Sequence, residues 1–572
     1  MSSTLPRLPI FEAIANHDPQ STVVIHSTSG RRFKYGELLK DVAEGKDRLV
    51  REAGSSSVEG QRIAFLVENS YDYVVTLLSI LGAHSIALPL SPAFPANELQ
   101  YIMDQSQASM LLSSKKFESK AEEVLKLDLE GKPKYIRLEK KLGGDAEGKV
   151  TLEGSSDGKG GMMLYTSGTT NRPKGVLLPS SALTAQANSL VTAWNYSPKD
   201  HLLHVLPLHH IHGTVNAILA PLFAGSTIEF LFPFNATSAW SRFAAPFLPS
   251  QAANSSLPAP ITFFTVVPTV YNRLLSTFKD LPPSIQTAAK KGISPSHLRL
   301  NISGSAALPT PTKKAWSDLS SGNVLLERYG MTEVGMALSC GLSPSDRVDG
   351  SVGWPLPGVE VRLVDTETNE VIQIGQELDK DGKERDGEIQ LRGPTVFKEY
   401  FRNEKATLAE HVGGDDGKGR WFKTGDVAVR RDVPSAGHSS QGWARGPMYF
   451  IRGRKSADII KSGGEKVSAL EVERELLSLP QIAEAAVVAV PSGKWGQKVG
   501  AVVILSEDAE GLKGGKWGPM DMRRALKERL ARYKIPQVMK VVDEIPRNAM
   551  GKINKKQLVK QVFAEEASGD EM

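Results

Sequence analysis

Residues 164–175 read LYTSGTTNRPKG, and they guide the interpretation of the whole chain. The stretch begins in an apolar segment, residues 162–164, which is typical of a buried strand that ends in a loop. Small residues let backbone N–H groups approach an anion closely, and Arg172 and Lys174 add positive charge. The stretch therefore predicts a loop that binds a phosphate-rich ligand, with a flexible surface turn as the alternative.

This loop differs from the common phosphate-binding loop GxxxxGK[ST]. Lys174 is followed by Gly175 instead of Ser or Thr, and no helical pattern starts at this lysine. We therefore expect a triphosphate loop of a different kind.

Length and composition limit the class of protein. A chain of 572 residues is too long for one hydrophobic core and indicates two or more domains. The formal net charge of +5 is small for this length and gives no reason to expect nucleic acid as a partner. The single cysteine, Cys340, excludes a disulfide framework and a Cys-rich metal site, and we interpret it as a core residue.

The ends of the chain and one uncharged segment bear on localisation. Residues 1–16 contain one basic residue and no apolar run, so they predict neither a secretory signal nor an Arg-rich mitochondrial presequence. Residues 569–572 carry no peroxisomal signal. Residues 73–90 lack formal charges, but Gly82 and Pro89 interrupt them, which favours a buried helix and strand over a membrane span. We expect an intracellular protein, cytoplasmic or alternatively mitochondrial.

The order of predicted elements indicates the fold class. Residues 1–150 alternate strand patterns, as at 22–26 and 62–67, with helical patterns, which predicts βαβ units and a mostly parallel sheet. From about residue 387, alternating apolar and polar residues predict half-buried strands. A compact unit of mixed strands and helices follows residue 453. We predict an α/β (mixed α+β) protein with domains at residues 1–452 and 453–572.

Further motifs contain candidate ligand-binding and catalytic residues. Residues 327–333, ERYGMTE, place the ring of Tyr329, the hydroxyl of Thr332 and the carboxylate of Glu333 close together. These groups could stack on a nucleobase, hold a phosphate and ligate Mg²⁺. Asp426 follows a Gly turn and could accept hydrogen bonds from ribose hydroxyls, or simply form the turn. Lys552 also follows a glycine, and by itself would be read as a surface lysine. The segment Arg452-Gly453-Arg454 lies at the proposed boundary, where a hinge is expected.

Taken together, and in this order along residues 20–560, these stretches resemble the adenylate-forming superfamily and its acyl-CoA synthetases. The resemblance implies a large N-terminal domain of two βαβ-type subdomains plus a β-barrel, and a small C-terminal α+β domain that rotates as a lid. It also implies two steps, in which a carboxylate and ATP give acyl-AMP and pyrophosphate, and a thiol then displaces AMP. The co-substrates implied are ATP and CoA, with Mg²⁺ as cofactor.

The resemblance implies roles for individual residues in ATP binding. The residues that would cradle the β- and γ-phosphates are Thr166, Ser167, Gly168, Thr169, Thr170 and Lys174. The residues that would form the adenine slot are Gly304, Ser305, Ala306 and Tyr329. Asp426 and Arg454 would hold the ribose.

Other implied roles concern the reaction itself. Thr332 would contact the α-phosphate, Glu333 would ligate Mg²⁺, and Lys552 would bridge carboxylate and α-phosphate oxygens; with Lys174 these form the implied catalytic set. Gly463 and Gly464 would lie in the loop that guides the CoA thiol. Relatives have Lys or Asp as a hinge pivot soon after the arginine, whereas residues 455–458 read KSAD, so the pivot residue stays open.

Two stretches of sequence bear on which carboxylic acid would be the substrate. Residues 207–213, PLHHIHG, resemble the segment that gates the acyl pocket, and we expect His209 to donate to a bound carboxylate; a metal site is the alternative for these histidines. Arg273 lies on a helix that, by resemblance, lines the pocket, where it could clamp a second carboxylate or else point to solvent. The chain looks especially like malonyl-CoA synthetases, which implies a short dicarboxylate such as malonate or methylmalonate.

Other functions remain open at this stage. Within the same enzyme class, an aryl, oxalyl or medium-chain fatty acyl-CoA ligase is the alternative. Outside it, the chain could be an adenylating module that loads a carrier, or a nucleotide-binding protein without catalysis. Lys174, Glu333, Asp426 and Lys552 are all present, which favours an active enzyme.

Overall fold

The computed structural model describes residues 4–143, 150–154, 158–166, 172–249, 258–414, 416–493, 495–506, 517–547 and 553–564. The strands in these ranges are, in chain order, β1 (Thr4–Pro6), β2 (Thr22–His26), β3 (Arg32–Lys34), β4 (Arg62–Leu66), β5 (Ile86–Pro89), β6 (Met110–Ser114), β7 (Lys134–Leu138), β8 (Thr151–Glu153), β9 (Gly161–Thr166), β10 (Lys174–Pro179), β11 (His201–His204), β12 (Thr227–Phe230), β13 (Phe263–Val266), β14 (Leu300–Ser303), β15 (Leu326–Met331), β16 (Gly335–Ser339), β17 (Ser351–Pro355), β18 (Glu360–Asp365), β19 (Val371–Ile372), β20 (Gly387–Arg392), β21 (Glu399–Tyr400), β22 (His411–Val412), β23 (Trp421–Arg431), β24 (Met448–Arg454), β25 (Ile459–Ser462), β26 (Glu465–Ser468), β27 (Ile482–Ser492), β28 (Gly496–Leu505) and β29 (Val538–Val541).

The α-helices of the same ranges are α1 (Pro9–Ala15), α2 (Tyr35–Ala53), α3 (Tyr71–Gly82), α4 (Ala96–Ser106), α5 (Glu118–Leu125), α6 (Ser180–Trp194), α7 (Ala220–Ala224), α8 (Ala236–Ala244), α9 (Pro268–Phe278), α10 (Pro283–Ile293), α11 (Thr310–Leu319), α12 (Glu404–Ala409), α13 (Ala469–Leu477), α14 (Pro519–Leu526) and α15 (Lys555–Val562). A π-helical segment, His212–Leu219, leads into α7.

The first large sheet has the strand order β21-β10-β9-β5-β4-β6-β7. Its β5, β4, β6 and β7 are parallel neighbours, as the alternating strand and helix patterns predict. Helix α3 is buried along its whole length and β5 is buried at every position, so residues 73–90 form a core helix and strand. Within the described ranges, no helix is both long and apolar enough to cross a membrane.

The second large sheet joins a parallel part to an antiparallel part. Strands β2, β12, β11, β13, β14 and β15 are parallel neighbours, and the sheet then continues through antiparallel β16, β17, β24, β23, β20 and β18. The antiparallel part contains the alternating strands predicted from residue 387 onward. The predicted mixed α/β class is confirmed.

A third sheet, in the order β26-β25-β28-β27 with β29 beside β28, forms the C-terminal unit with its own apolar core. Strand β24 still belongs to the second sheet and runs to Arg454, and the third sheet begins at Ile459. The predicted division between residues 452 and 453 therefore falls inside β24, before the connection to the third sheet. It stays a prediction. Cys340 is buried, and burial raises the pKa of its thiol to about 12, which fits a core residue.

Gly353 offers a test of the junction between β16 and β17. It has a φ of +73°, and a Cβ there would collide with the carbonyl oxygen of Ser339. Gly375 has a φ of +90°, but a Cβ there would meet open space. We expect Gly353→Ala to lower the unfolding temperature far more than Gly375→Ala, which should lose only the cost of a left-handed backbone, about 1 kcal/mol.

The matched pair separates the collision from the backbone strain. Thermal unfolding of both variants and of the wild type, followed by near-UV circular dichroism, measures the difference. Equal losses in the two variants would show that the second sheet relaxes freely around β17.

Candidate active site

The phosphate loop connects two neighbouring antiparallel strands. Thr166 ends β9 and Lys174 begins β10, and the two residues are paired across the sheet. A Cβ on Gly175 would lie 3.1 Å from the hydroxyl of Tyr165, so a glycine suits this position. Ser167, Gly168, Thr169 and Thr170 lie outside the described residues. The predicted buried strand before the loop is confirmed for β9, whose first four residues are buried.

A single tyrosine contacts both Lys174 and Glu333. The Nζ of Lys174 lies 4.7 Å from the centre of the Tyr400 ring, within cation–π range. The Tyr400 hydroxyl donates a hydrogen bond of 2.9 Å to Oε1 of the buried Glu333. Lys174 and the proposed Mg²⁺ ligand Glu333 therefore contact different parts of one side chain.

No local sequence signal assigns Tyr400 to the site. It belongs to a two-residue strand, β21, whose pairing with β10 places it beside the loop. Register between strands that lie more than 200 residues apart in the chain determines this contact, and residue patterns near Tyr400 do not contain that information.

The proposed ribose site is assembled from three strands. Asp426 and Arg454 are paired across β23 and β24, and Arg454 donates hydrogen bonds of 2.9 Å and 3.2 Å to the two Asp426 oxygens. The Tyr329 hydroxyl donates to Asp426 at 2.7 Å. Burial and the Asp426 charge raise the pKa of Tyr329 well above its ordinary value, so the phenol stays protonated. The structure thus brings together the predicted Tyr329, Asp426 and Arg454.

The loop after β14 packs against a buried arginine. A Cβ at Gly304 would lie 2.5 Å from the guanidinium carbon of Arg328, so the loop backbone lies directly against this side chain. Ser305 has a φ of +68° and accepts a hydrogen bond of 3.2 Å from Arg328. Burial lowers the pKa of Arg328 to about 9. Among the described residues, no carboxylate lies within ion-pair distance of this guanidinium.

Arg328 has no sequence signal of its own. The motif ERYGMTE points to its neighbours, and an arginine beside a tyrosine in a strand usually extends into solvent. Only the three-dimensional structure shows that this arginine is buried, with no acidic partner among the residues that the structure describes.

The histidine segment is largely buried, with His212 buried and His209 and His210 partly exposed. Burial lowers the pKa of His209 to about 4, and its ring lies 4.0 Å from that of His210 and 5.6 Å from that of Phe94. His212 contacts Thr265 at 2.7 Å, and burial and the Arg328 charge lower its pKa well below the ordinary value. A neutral His209 can still donate a hydrogen bond from a ring N–H. In the described part of the chain, no three metal-ligating side chains are grouped as a metal site.

The remaining predicted residues lie at element ends or at the surface. Thr332 lies in the turn between β15 and β16, and Ala306 follows β14. Arg273 lies on α9 with an exposed side chain. Gly463 and Gly464 form the turn between β25 and β26 with φ of +59° and +88°, and the indole of Trp495 packs on Gly463. Lys552 lies outside the described residues.

Comparison with known proteins identifies the family. Residues 11–401 match the AMP-binding enzyme family, and residues 471–552 match the AMP-binding enzyme C-terminal domain. This chain belongs to the AMP-binding enzyme family. A protein called CoA ligase from Gibberella moniliformis is 56% identical over 99% of this chain and 96% of its own length.

Other relatives carry more specific names. The mitochondrial malonate–CoA ligase ACSF3 of Homo sapiens is 37% identical over 96% of this chain and 92% of its own length. The crystal structure of ATP-bound MatB from Rhodopseudomonas palustris superposes with a TM-score of 0.76 at 28% identity, covering 98% of this chain and 99% of that one. The chain is an AMP-forming acyl-CoA ligase, whose substrates are a carboxylic acid, ATP and CoA.

The Asp426–Arg454 pair gives a first prediction for the site. In Asp426→Asn the Arg454 guanidinium loses its charged partner, and the proposed ribose site loses its charged acceptor. We expect the KM for ATP to rise about 10- to 100-fold, the effect of removing one side of a largely buried charge pair. Asp432→Asn, at an exposed position just past β23, is the control. An unchanged KM for ATP in Asp426→Asn would exclude Asp426 from nucleotide binding.

His209 gives a prediction for the dependence of stability on pH. Its pKa is about 4 in the folded protein against an ordinary value of 6.5. Between these values the unfolded chain binds a proton that the folded chain does not, so stability is lost as the pH falls. His209 should account for about 2 kcal/mol of the loss between pH 7 and pH 5.

Urea unfolding of His209→Gln at both pH values tests this origin of the pH dependence. We expect the variant to lose about 2 kcal/mol less than the wild type over that interval. His438→Gln, at an exposed position, should behave like the wild type. If both variants retain the full loss, His209 is not buried in its neutral form.

Proposed function

We propose that the chain is a malonate–CoA ligase that converts malonate, ATP and CoA to malonyl-CoA, AMP and pyrophosphate, with methylmalonate as a second substrate. The observation that supports this most is the buried Arg328. A buried guanidinium without a carboxylate is costly, by several kcal/mol, unless a ligand supplies the counter-charge. A substrate with two carboxylates can use one for attack on ATP and leave the other for this arginine.

The surroundings of Arg328 fit a small anionic acid. Arg328 packs against Gly304 and donates a hydrogen bond to the Ser305 hydroxyl, and its charge acts on His212. Tyr329, the next residue, reaches the proposed ribose carboxylate. The acid would therefore be held between the nucleotide and the histidine segment. A fatty acid would place methylene groups against a charged group and leave it unsatisfied.

The names of relatives support the same substrate. The ACSF3 proteins of Homo sapiens and Mus musculus are named malonate–CoA ligases, at 37% and 39% identity. Both are also named mitochondrial, and for this chain the compartment stays a prediction. The relative from Gibberella moniliformis, at 56% identity, is named CoA ligase without an acid.

The first step is attack of one malonate carboxylate on the α-phosphorus of ATP, with pyrophosphate leaving. The phosphate loop, with Thr166, Lys174 and the residues between them, would hold the leaving pyrophosphate. Lys552 would bring the carboxylate and the α-phosphate oxygens together, and Thr332 would contact that phosphate. Positive charge and N–H donors aimed at oxygens that gain charge in the transition state lower the barrier.

The remaining residues would bind and orient the substrates. Asp426 and Arg454 would hold the ribose. The adenine base would lie against Gly304, Ser305 and Ala306. The buried carboxylate of Glu333 suits a hard cation and would hold Mg²⁺, which neutralises phosphate charge when bound. In the second step the CoA thiol, guided along Gly463 and Gly464, attacks the acyl carbonyl and AMP leaves.

The two arginines make the proposal testable. Arg328→Met keeps most of the side-chain volume and removes the charge, whereas Arg273→Leu alters an exposed position. We expect Arg328→Met to lower kcat/KM for malonate about 100-fold or more, the usual cost of removing one side of a buried charge pair. The variant should lose its preference for malonate over butyrate, because the second carboxylate no longer has a partner. Pyrophosphate release with saturating CoA measures both.

The outcomes separate the assignments. If Arg273→Leu lowers kcat/KM for malonate and Arg328→Met does not, Arg273 binds the second carboxylate, as the sequence analysis expects. The assignment of this role to Arg328 is then wrong. The wild type should be assayed with malonate, methylmalonate, oxalate, 4-coumarate and octanoate. A preference for octanoate would indicate a medium-chain fatty acyl-CoA ligase, and a preference for 4-coumarate would indicate an aryl-CoA ligase. Either result would contradict the proposed dicarboxylate substrate. Pyrophosphate release without thioester formation on free CoA would favour a carrier-loading module.

A further inference from the structure

A buried group of three charged side chains lies between the hinge and the last helix. The Nζ of Lys555, at the start of α15, lies 2.6 Å from Oδ1 of Asp458 and 2.7 Å from Oε1 of Glu473. Asp458 lies in the connection between β24 and β25, and Glu473 lies on α13. We refer to Lys555, Asp458 and Glu473 as the hinge cluster. The side chains are 12%, 16% and 15% exposed, so water screens these pairs weakly.

Both carboxylates are also fixed by the backbone. Oδ2 of Asp458 accepts a hydrogen bond of 3.0 Å from the N–H of Arg454, the last residue of β24. Oε1 of Glu473 accepts one of 2.8 Å from the N–H of Val487 in β27. The Asp458 carbonyl accepts one of 2.8 Å from the N–H of Ala469, the first residue of α13. The cluster thus connects the hinge strand, α13, the C-terminal sheet and α15.

The charges indicate a role beyond general stability. Burial alone would lower the pKa of Lys555, but the Glu473 and Asp458 carboxylates outweigh it and raise this pKa. Burial raises the pKa of Glu473. A buried ion-pair group generally contributes no more stability than an apolar group of the same size, but it requires one specific arrangement of its elements. Such a group is suited to fixing the position of α15.

The cluster is connected to the candidate active site through Asp458. Arg454, held through its backbone by Asp458, binds Asp426 through its guanidinium. Lys555 follows Lys552 by three residues, so the two Cα atoms lie at most about 11 Å apart. We propose that Lys555 is a positioning residue, which ties the segment that carries Lys552 to the hinge so that this lysine reaches the α-phosphate in the adenylation step.

The proposal rests on the role given to Lys552 in the proposed function, and it predicts different effects on the two half-reactions. Adenylation needs Lys552 at the α-phosphate and should depend on Lys555. Attack of the CoA thiol on acyl-AMP does not use Lys552 and should not. An effect limited to adenylation is not expected from general loss of folding, which would lower both half-reactions together.

The experiment compares Lys555→Met, Lys555→Arg and Lys556→Met in the full-length enzyme. Lys556 is the adjacent, exposed lysine of the same helix and serves as the matched control. Acid-dependent ATP–pyrophosphate exchange measures adenylation, and conversion of added malonyl-AMP by CoA measures the second half-reaction. We expect Lys555→Met to lower the kcat of exchange about 10- to 100-fold with little change in the KM for ATP, the range for a misplaced catalytic group.

The second half-reaction should stay within about threefold of the wild type, and Lys555→Arg should restore most of the exchange because it keeps the charge that both carboxylates bind. Lys556→Met should match the wild type in both assays. Equal loss in both half-reactions, or no loss in either, would overturn the proposal. If Lys555→Met does not fold by circular dichroism, Glu473→Gln removes one ion pair and is judged by the same criterion.

Failure of this proposal and failure of the proposed function give different results. If the wild type shows no ATP–pyrophosphate exchange with malonate but does with another acid of the panel, the malonate assignment fails. The Lys555 variants are then assayed with that acid and its adenylate. If the wild type uses malonate and the variants show no selective loss of adenylation, only the positioning role of Lys555 fails.

Discussion

The carboxylate of Asp426 joins segments of the chain that are far apart in sequence. It accepts hydrogen bonds from Tyr329, 97 positions earlier, and from Arg454, 28 positions later. These contacts bring the end of β15 together with β23 and β24, and β24 leads into the C-terminal unit. The same carboxylate is the proposed ribose acceptor. The proposed nucleotide site and the strand that leads to the C-terminal unit therefore share one side chain.

Local residue patterns were sufficient for the fold class and for several individual elements. The apolar strand before the phosphate loop, the buried helix and strand at residues 73–90 and the mixed C-terminal unit all follow from periodicity and turn residues, which act over short distances. The motifs of Tyr329, Asp426 and Arg454 also mark side chains that the structure brings together. Their contacts with one another were not visible in the sequence, because strand register is set by pairing across the whole chain.

Tyr400 and Arg328 show where such patterns fail. Tyr400 reaches the site through the pairing of a two-residue strand. Arg328 is distinguished by its burial, with no carboxylate at ion-pair distance in the described part of the chain. Arg273 illustrates the reverse case, since the family resemblance suggests a pocket residue but its side chain is exposed. The composition of a segment does not determine which of its charged residues is desolvated, although that desolvation governs which anion it can bind.

The contact between Lys174 and the Tyr400 ring affects how the lysine can bind a phosphate. A ring face attracts an ammonium group through its quadrupole and accepts no conventional hydrogen bond. Lys174 can therefore be held near the loop while its N–H donors remain available to phosphate oxygens. The Tyr400 hydroxyl is engaged separately by Glu333, so one phenol orients a cation and an anion through different parts of its structure. A neutral side chain thus holds Lys174 without using its hydrogen-bond donors.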